Sequence, residues 1–361
     1  MEHYYNAIDL LKGMISIPSF SKEEKEVADY LESQWRKVGH EVCRKGNNLW
    51  IAAAGFDAAR PTILLNSHID TVKPVAGWGK GCDSDTNNTE RSPFTPVEEG
   101  DCLYGLGSND AGASLVALYE AFVLLSAKRQ PYNLIFLASA EEEISGKNGV
   151  ESVLDALPPI TFGLVGEPTS MQPAIAEKGL MVLDCISHGV SGHAARNEGI
   201  NAISQAIIAI NRLHTLVFPL QSDLLGSVKL TTTMIKAGTQ HNVIPDRCEF
   251  TVDVRTNEFY SNKEVYNEIS NLLDCEIIAR GFRLNSSRID PNHPFVQRAV
   301  MLGKQPFGSP TLSDQALMNF PTVKMGPGDS SRSHTANEFI RLPEIREAID
   351  IYVKLLDHLE L

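Results

Sequence analysis

Residues Asn133–Gly149 read NLIFLASAEEEISGKNG. An uninterrupted apolar run leads into three consecutive glutamates, Glu141, Glu142 and Glu143. A short run rich in Ile, Leu and Phe suits a central strand buried on both faces. Like charges this close disfavour one another's ionisation. Three carboxylates at the mouth of a buried strand therefore call for a compensating positive charge.

Similar runs flank this stretch. LWIAAAG begins at Leu49, TILLNSH ends at His68, and TFGLVGEP spans Thr161–Pro168. Helix-like segments alternate with them, notably GASLVALYEAFVLLSA from Gly112 and GVESVLDAL from Gly149. That alternation predicts an α/β domain with helices covering a sheet. Upstream, Ser21 and Glu24 in SKEE fit a capping box. Val27, Leu31, Trp35 and Val38 then recur at helical spacing, with Gly39 as a stop. AGWGKGCDSDTNNTERSPF, from Ala76 to Phe94, is polar and reads as a long surface loop, a kind that is often functional.

Beyond about Lys178 the pattern changes. LMVLDCISHG, SVKLTTTMIKAG and RCEFTVDVRT read as strands, and INAISQAIIAINRLH as an amphipathic helix. Helix and strand alternation resumes from His293 to the terminal LPEIREAIDIYVKLLDHL. The expected architecture is one α/β domain, residues 1–177 and 287–361, interrupted by a smaller α+β domain over 178–286.

The bulk numbers set bounds. The 361 residues suffice for two domains, and 43% apolar content is enough for a full core. A formal net charge of -13 argues against nucleic acid as a partner. Six scattered cysteines, Cys43, Cys82, Cys102, Cys185, Cys248 and Cys275, form no CxxC pair. The start MEHYYNAIDLL lacks the order of a signal peptide, and no apolar run is long enough to span a membrane. A reducing, cytoplasmic setting with no membrane partner is the expectation.

In an open α/β sheet, sites form at the carboxyl ends of strands. His68 and Asp70 stand there, as do the glutamates and Glu167. Asp110 lies in the Gly-rich YGLGSNDAG, and His334 in the polar GPGDSSRSHTANE. Taken singly, each has a plain reading as a loop residue or a solvated charge. A dinucleotide fingerprint fails because Asp110 stands where the last glycine belongs. Taken together, imidazole and carboxylate donors without cysteine suit zinc, and also manganese or cobalt. Cations among the glutamates would remove their repulsion.

SHIDTV, LYGLGSNDAG, SAEEEISGKNG, VGEPT, GVSGHAA, HNVIPD and GPGDSSRSHTANE occur in this order. In this the chain resembles the M20 metallopeptidase and aminoacylase family, which includes acetylornithine deacetylases, succinyl-diaminopimelate desuccinylases, dipeptidases and aminopeptidases. The resemblance implies a zinc-exopeptidase-like catalytic domain with an inserted dimerisation or lid domain. It implies two zinc ions bridged by Asp110, with His68 and Glu167 completing one site and Glu143 and His334 the other. Asp70 would hydrogen-bond His68 and fix its tautomer, while Glu142 would act as general base on a water at the metals. Glu141, where many members have Asp, would take a supporting role. His193 would reach a partner subunit's site and stabilise the oxyanion, and Asn242 and Arg255 would bind polar groups and the α-carboxylate of substrate. Many members read Asp-Met-Lys-Gly where this chain has Asp110-Ala111-Gly112-Ala113; the bridging Asp is kept and the lysine is not. The expected activity is hydrolysis of an N-acyl-L-amino acid by a homodimer, most simply of the acetylornithine deacetylase kind in arginine biosynthesis. The alternatives are desuccinylation, peptide cleavage, or a peptidase-like fold that only binds.

Overall fold

The computed structural model describes residues 2–79, 91–196 and 198–361. The middle of the polar stretch after Ala76, with Cys82, lies outside them. The chain divides into two compact units. The first comprises Met1–Ile175, Ile289–Phe307 and Ser313–Leu361, and the second Ala176–Arg288 with Gly308–Leu312.

The first unit is built on a mixed sheet. Its strands run in the order Cys43–Lys45, Asn48–Ala52, Asn133–Ser139, Thr62–His68, Phe162–Val165, Thr322–Lys324. Thr62–His68 pairs in parallel with Asn133–Ser139 on one side and Phe162–Val165 on the other. Every residue of both seven-residue strands is buried, which explains the apolar runs at residues 63–65 and 134–138 at their centres. One face packs Leu64, Ile135, Leu137 and Val165 against Val150 and Val153. The other carries an aromatic cluster in which Trp35 stacks on Tyr119 and meets the edge of Phe136. Because the three parallel strands point the same way, His68, the Glu141–Glu143 turn and Glu167 emerge at one end of the sheet.

Helix Lys25–Lys37 forms as expected, but its N-terminus is built differently. Glu24 is the N-cap residue and makes no side-chain cap bond. Ser21 instead donates to Asp70 Oδ2 at 2.7 Å. Glu24 accepts from the backbone N–H groups of Lys22 at 2.6 Å and Glu141 at 3.2 Å. Tertiary partners have displaced the local capping bond.

The second unit is α+β. Its four-stranded antiparallel sheet runs Lys229–Ala237, Arg247–Arg255, Met181–His188, Glu276–Ala279. Arg247–Arg255 alternates between buried and less buried positions. Its buried residues Phe250, Val252 and Val254 pack with Ala202, Ala206 and Leu213 of helix Ala202–Thr215. Asn201 caps that helix, accepting from Ile203 N–H at 2.9 Å. Among the described residues no helix is long and apolar enough to cross a membrane.

Candidate active site

His68 is the last residue of its strand and is 1% exposed. Its Nδ1 lies 2.9 Å from the backbone carbonyl oxygen of Asp70, which can only accept. Nδ1 therefore carries the proton in that bond, and Nε2 is turned toward the carboxylates. Nε2 lies 3.3 Å from Asp110 Oδ1 and 3.8 Å from Glu167 Oε1. On the far side of Asp110, His334 Nε2 lies 3.6 Å from Oδ2 and 3.0 Å from Glu143 Oε2. The two oxygens of Asp110 thus face different imidazoles.

The turn after Ser139 separates the glutamates by direction. Glu141 has a left-handed backbone, φ 56°. Its carboxylate turns inward and accepts from the Asn148 amide at 2.9 Å. The space is shared with Gly146, where an added Cβ would fall 1.9 Å from Glu141 Oε2, so glycine is needed there. Glu142 and Glu143 form a short 3-10 turn, and their backbone N–H groups are both held by Asp70. Ligand atoms of His68, Asp110 and Glu143 lie within 4.8 Å of one another, and so do those of His68, Glu142 and Glu167.

The electrostatics match a place for cations. Burial drives Glu142 well above the ordinary carboxyl range, and repulsion from Glu167 adds to it. Burial pushes Glu167 up to about 8; His68 draws it back, but Asp110 pushes the same way as burial. For His68, burial works downward, yet its bonds to Asp110 and Asp70 and the charges of Glu142 and Glu167 carry it well above its usual value. His334 is raised to about 9, chiefly by its bond to Glu143. Glu167 Oε1 is buried and meets no hydrogen-bond donor. A cation would satisfy such a buried carboxylate oxygen, and this donor set of imidazole and carboxylate fits one.

Two further carboxylates belong to the site and were not singled out by sequence reasoning. Asp314 is buried and accepts from Asn66 Nδ2 at 2.9 Å and Ser139 Oγ at 2.7 Å, bracing two adjacent strand ends. Burial lifts it to about 6. Glu338 accepts from the backbone N–H groups of Gly107, Asn109 and Asp110 at 3.1, 2.8 and 2.9 Å, and so holds the loop that presents Asp110. Burial and the nearby Asp110 raise it to about 7. Asp314 sits in a short 3-10 turn, away from any long apolar run. Glu338 ends the quoted GPGDSSRSHTANE, so its motif was visible but its role was not.

His193, Asn242 and Arg255 belong to the second unit. His193 and Asn242 are exposed and adjacent: His193 pairs with Val243 across a two-residue ladder, and Ala194 N–H donates to the Asn242 carbonyl at 3.0 Å. Arg255 ends its strand and forms a paired contact with Asp253, Nε to Oδ1 at 2.9 Å.

A model of peptidase family M20/M25/M40 matches residues 64–358. The chain belongs to this family. It is a metal-dependent hydrolase acting on amide bonds. It is 28% identical to a LysW-lysine/LysW-ornithine hydrolase of Sulfurisphaera tokodaii, over 97% of this chain and 95% of that one. It is 26% identical to an acetylornithine deacetylase of Pectobacterium carotovorum, over 82% and 80%. The crystal structure of aminopeptidase PepT from Bacillus cereus shares the fold, with a TM-score of 0.77, 18% identity and 98% of each chain covered.

Proposed function

We propose that this M20 hydrolase removes the acyl group from an N-acyl-L-amino acid, with an N-acylated ornithine or citrulline as the leading substrate class. The observation that carries the reading is the placement of His68 and His334 against opposite oxygens of Asp110, with the half-buried Glu142 beside His68. His68, Asp110 and Glu167 would hold one metal, and Asp110, Glu143 and His334 a second. Such a pair, proposed to be zinc with manganese or cobalt as substitutes, polarises an amide carbonyl and acidifies water when bound.

The chain's own groups supply the rest. Glu142 takes a proton from the attacking water and returns it to the leaving nitrogen. Asp70 fixes the backbone that aims Glu142, and its carbonyl fixes the His68 tautomer. Arg255 and Asn242 are proposed to take the α-carboxylate and a polar group of the substrate. The second unit is proposed as the surface of a homodimer through which His193 stabilises the partner's oxyanion. Exposed Met234 and Ile235 on the edge strand Lys229–Ala237, with Ile207 and Ile208 on helix Ala202–Thr215, favour such pairing. Free thiols at Cys43, Cys102, Cys185, Cys248 and Cys275 suit a reducing, cytoplasmic setting.

Similarity to relatives named LysW-lysine/LysW-ornithine hydrolase and acetylornithine deacetylase supports a basic amino acid as the leaving group. The test is a panel of N-acetyl and N-succinyl ornithine and citrulline, succinyl-diaminopimelate, LysW-ornithine and dipeptides with the zinc-loaded protein. Turnover of an acylated amino acid well above that of any dipeptide is expected. Cleavage of peptides alone would overturn the proposal.

A further inference from the structure

Lys178, Lys229 and Arg255 gather at one end of the four-stranded sheet of the second unit. Lys229 and Arg255 are direct partners in the antiparallel pair of strands Lys229–Ala237 and Arg247–Arg255. Facing residues in such a pair project to the same side, with Cβ atoms about 5 Å apart. The next pair along, Leu230 and Val254, packs into the core with helix Ala202–Thr215, so Lys229 and Arg255 lie on the opposite face. Lys178 joins them through the backbone. Gly179 and Thr256 exchange hydrogen bonds at 3.1 and 3.3 Å, which sets Lys178 beside the end of the strand that carries Arg255. Its ammonium donates to the Ser227 carbonyl at 3.1 Å, just ahead of Lys229.

Like charges placed opposite one another destabilise a sheet. Asp253 holds Arg255 with both oxygens, at 2.9 and 3.1 Å, and so answers one of the three charges. Lys178 is bonded to a neutral carbonyl, and Lys229 is exposed. Burial lowers the Lys178 ammonium below its ordinary range, and repulsion from Lys229 and Arg255 adds to it. Elsewhere on the same face charges are matched: Arg280 meets Asp184, the partner of Thr251, at 2.8 Å. The end of the sheet at Arg255 therefore carries a surplus of positive charge that an anion would relieve.

We propose that Lys229 and Lys178 form a second carboxylate subsite beside Arg255, and that the acyl group removed by this hydrolase is dicarboxylic, of the succinyl class. The inference rests on the reading of Arg255 given above. With Arg255 on the α-carboxylate, the facing Lys229 and the adjoining Lys178 take the carboxylate at the far end of the acyl chain. Neither ornithine nor citrulline has a side-chain carboxylate, so the second negative charge belongs to the acyl side. An acetyl group brings none and leaves the two ammonium groups facing each other's charge. Hydrolysis then releases a dicarboxylic acid together with the free amino acid.

The test compares kcat/KM for the N-succinyl and N-acetyl forms of ornithine and citrulline in the zinc-loaded protein. The succinyl form is expected to be favoured at least about tenfold, the scale of one charge-assisted bond. Lys229 is exposed, so its variants should fold. Lys229→Gln should cut the succinyl-to-acetyl ratio about tenfold, through a higher KM for the succinyl form. Lys229→Glu should cut it further, and Lys229→Arg should keep most of it. Calorimetry gives a readout apart from turnover: the affinity of the Glu142→Gln protein for the succinyl form should fall by a similar factor when Lys229→Gln is added. Preference for the acetyl forms, or a ratio and an affinity unmoved by Lys229→Glu, would overturn the proposal and leave the deacylase reading standing. Turnover of none of the four substrates would overturn both.

Discussion

The Asp70 carboxylate grips the backbone on which Glu142 rides: Oδ1 accepts from Glu142 N–H at 3.0 Å, and Oδ2 accepts from Glu143 N–H at 3.1 Å. Its distance to His68 Nδ1 is longer, 3.6 Å, and the bond to that nitrogen comes from the Asp70 carbonyl at 2.9 Å. Asp70 thus orients two parts of the site, the imidazole through its main chain and the glutamate turn through its side chain. Asp70→Asn places an amide where one of these acceptors stood. We expect kcat to fall about 10–100-fold with KM little changed. An equal loss in KM alone would assign Asp70 to substrate binding.

Glu142 and Glu143 are adjacent, and their proposed roles separate cleanly. Glu142→Gln should keep both metals and lose about 10²–10⁴-fold in kcat, because only the proton carrier is removed. Glu143→Gln should lose one metal per chain, since Glu143 meets His334 at 3.0 Å. Elemental analysis beside a turnover assay reads both. An emptied site in Glu142→Gln with full loading in Glu143→Gln would reverse the two roles.

The buried carboxyls predict how stability depends on pH once metal is removed by a chelator. Asp314, Glu338 and Glu167 rise from ordinary values of 3.8, 4.5 and 4.5 to about 6, 7 and 8. Each holds in the folded chain a proton that the unfolded chain has released, so each removes stability as pH climbs from its unfolded to its folded value. His334, raised from 6.5 to about 9, acts in the same direction over a higher window. The metal-free protein should therefore melt at a lower temperature at pH 8 than at pH 5. Zinc should flatten that slope, because cation binding displaces the same protons. Melting curves with chelator and with zinc at both pH values measure it, and a metal-free protein more stable at pH 8 would contradict the assigned shifts.

Glu338 holds three backbone N–H groups of the loop that carries Asp110. Glu338→Ala leaves those buried donors unpaired, and should cost about 2 kcal/mol or more in stability. It should also weaken metal retention without altering any proposed ligand. Urea unfolding and metal content after dialysis are the measurements. Wild-type values for both would leave Glu338 without a positioning role.

Sharing of the site across a dimer is tested by complementation. His193→Ala and Glu142→Gln chains, each inactive alone, are mixed and allowed to exchange. A mixed dimer would contain one intact site, and random exchange makes about half the dimers mixed, so about a quarter of wild-type activity should return. Confirmed exchange without recovered activity would show that His193 does not act across subunits.

The sheet was legible because its central strands are buried on both faces and so carry short apolar runs, at residues 63–65 and 134–138. Residues just past those runs, His68, the glutamates and Glu167, were legible for the same reason: the parallel strands end together. Asp314 was not, because what marks it is contact with Asn66 and Ser139, which lie 248 and 175 positions away along the chain. Glu338 likewise acts on a loop more than two hundred positions upstream. The SKEE pattern misled because a local capping signal competes with tertiary partners, and here Asp70 and Glu141 won Ser21 and Glu24. Trp35 shows another limit: helical spacing marked it as core, but an indole N–H without an acceptor is visible only in three dimensions.

The turn at Glu141–Glu143 has a consequence for reading relatives of this chain. The three letters are identical, so an alignment that slides by one position across them loses nothing in score. The fold does not treat them alike. Glu141 faces inward to Asn148, Glu142 gathers with His68 and Glu167, and Glu143 meets His334. A slip of one residue, whether made by a comparison or by a deletion in the gene, would hand the proton carrier's label to a metal ligand or to a strut. In homologues with a run of acidic residues here, the inward-facing carboxylate of the left-handed residue, rather than the count of acids, is the landmark: the proposed proton carrier stands one position after it and the proposed metal ligand two.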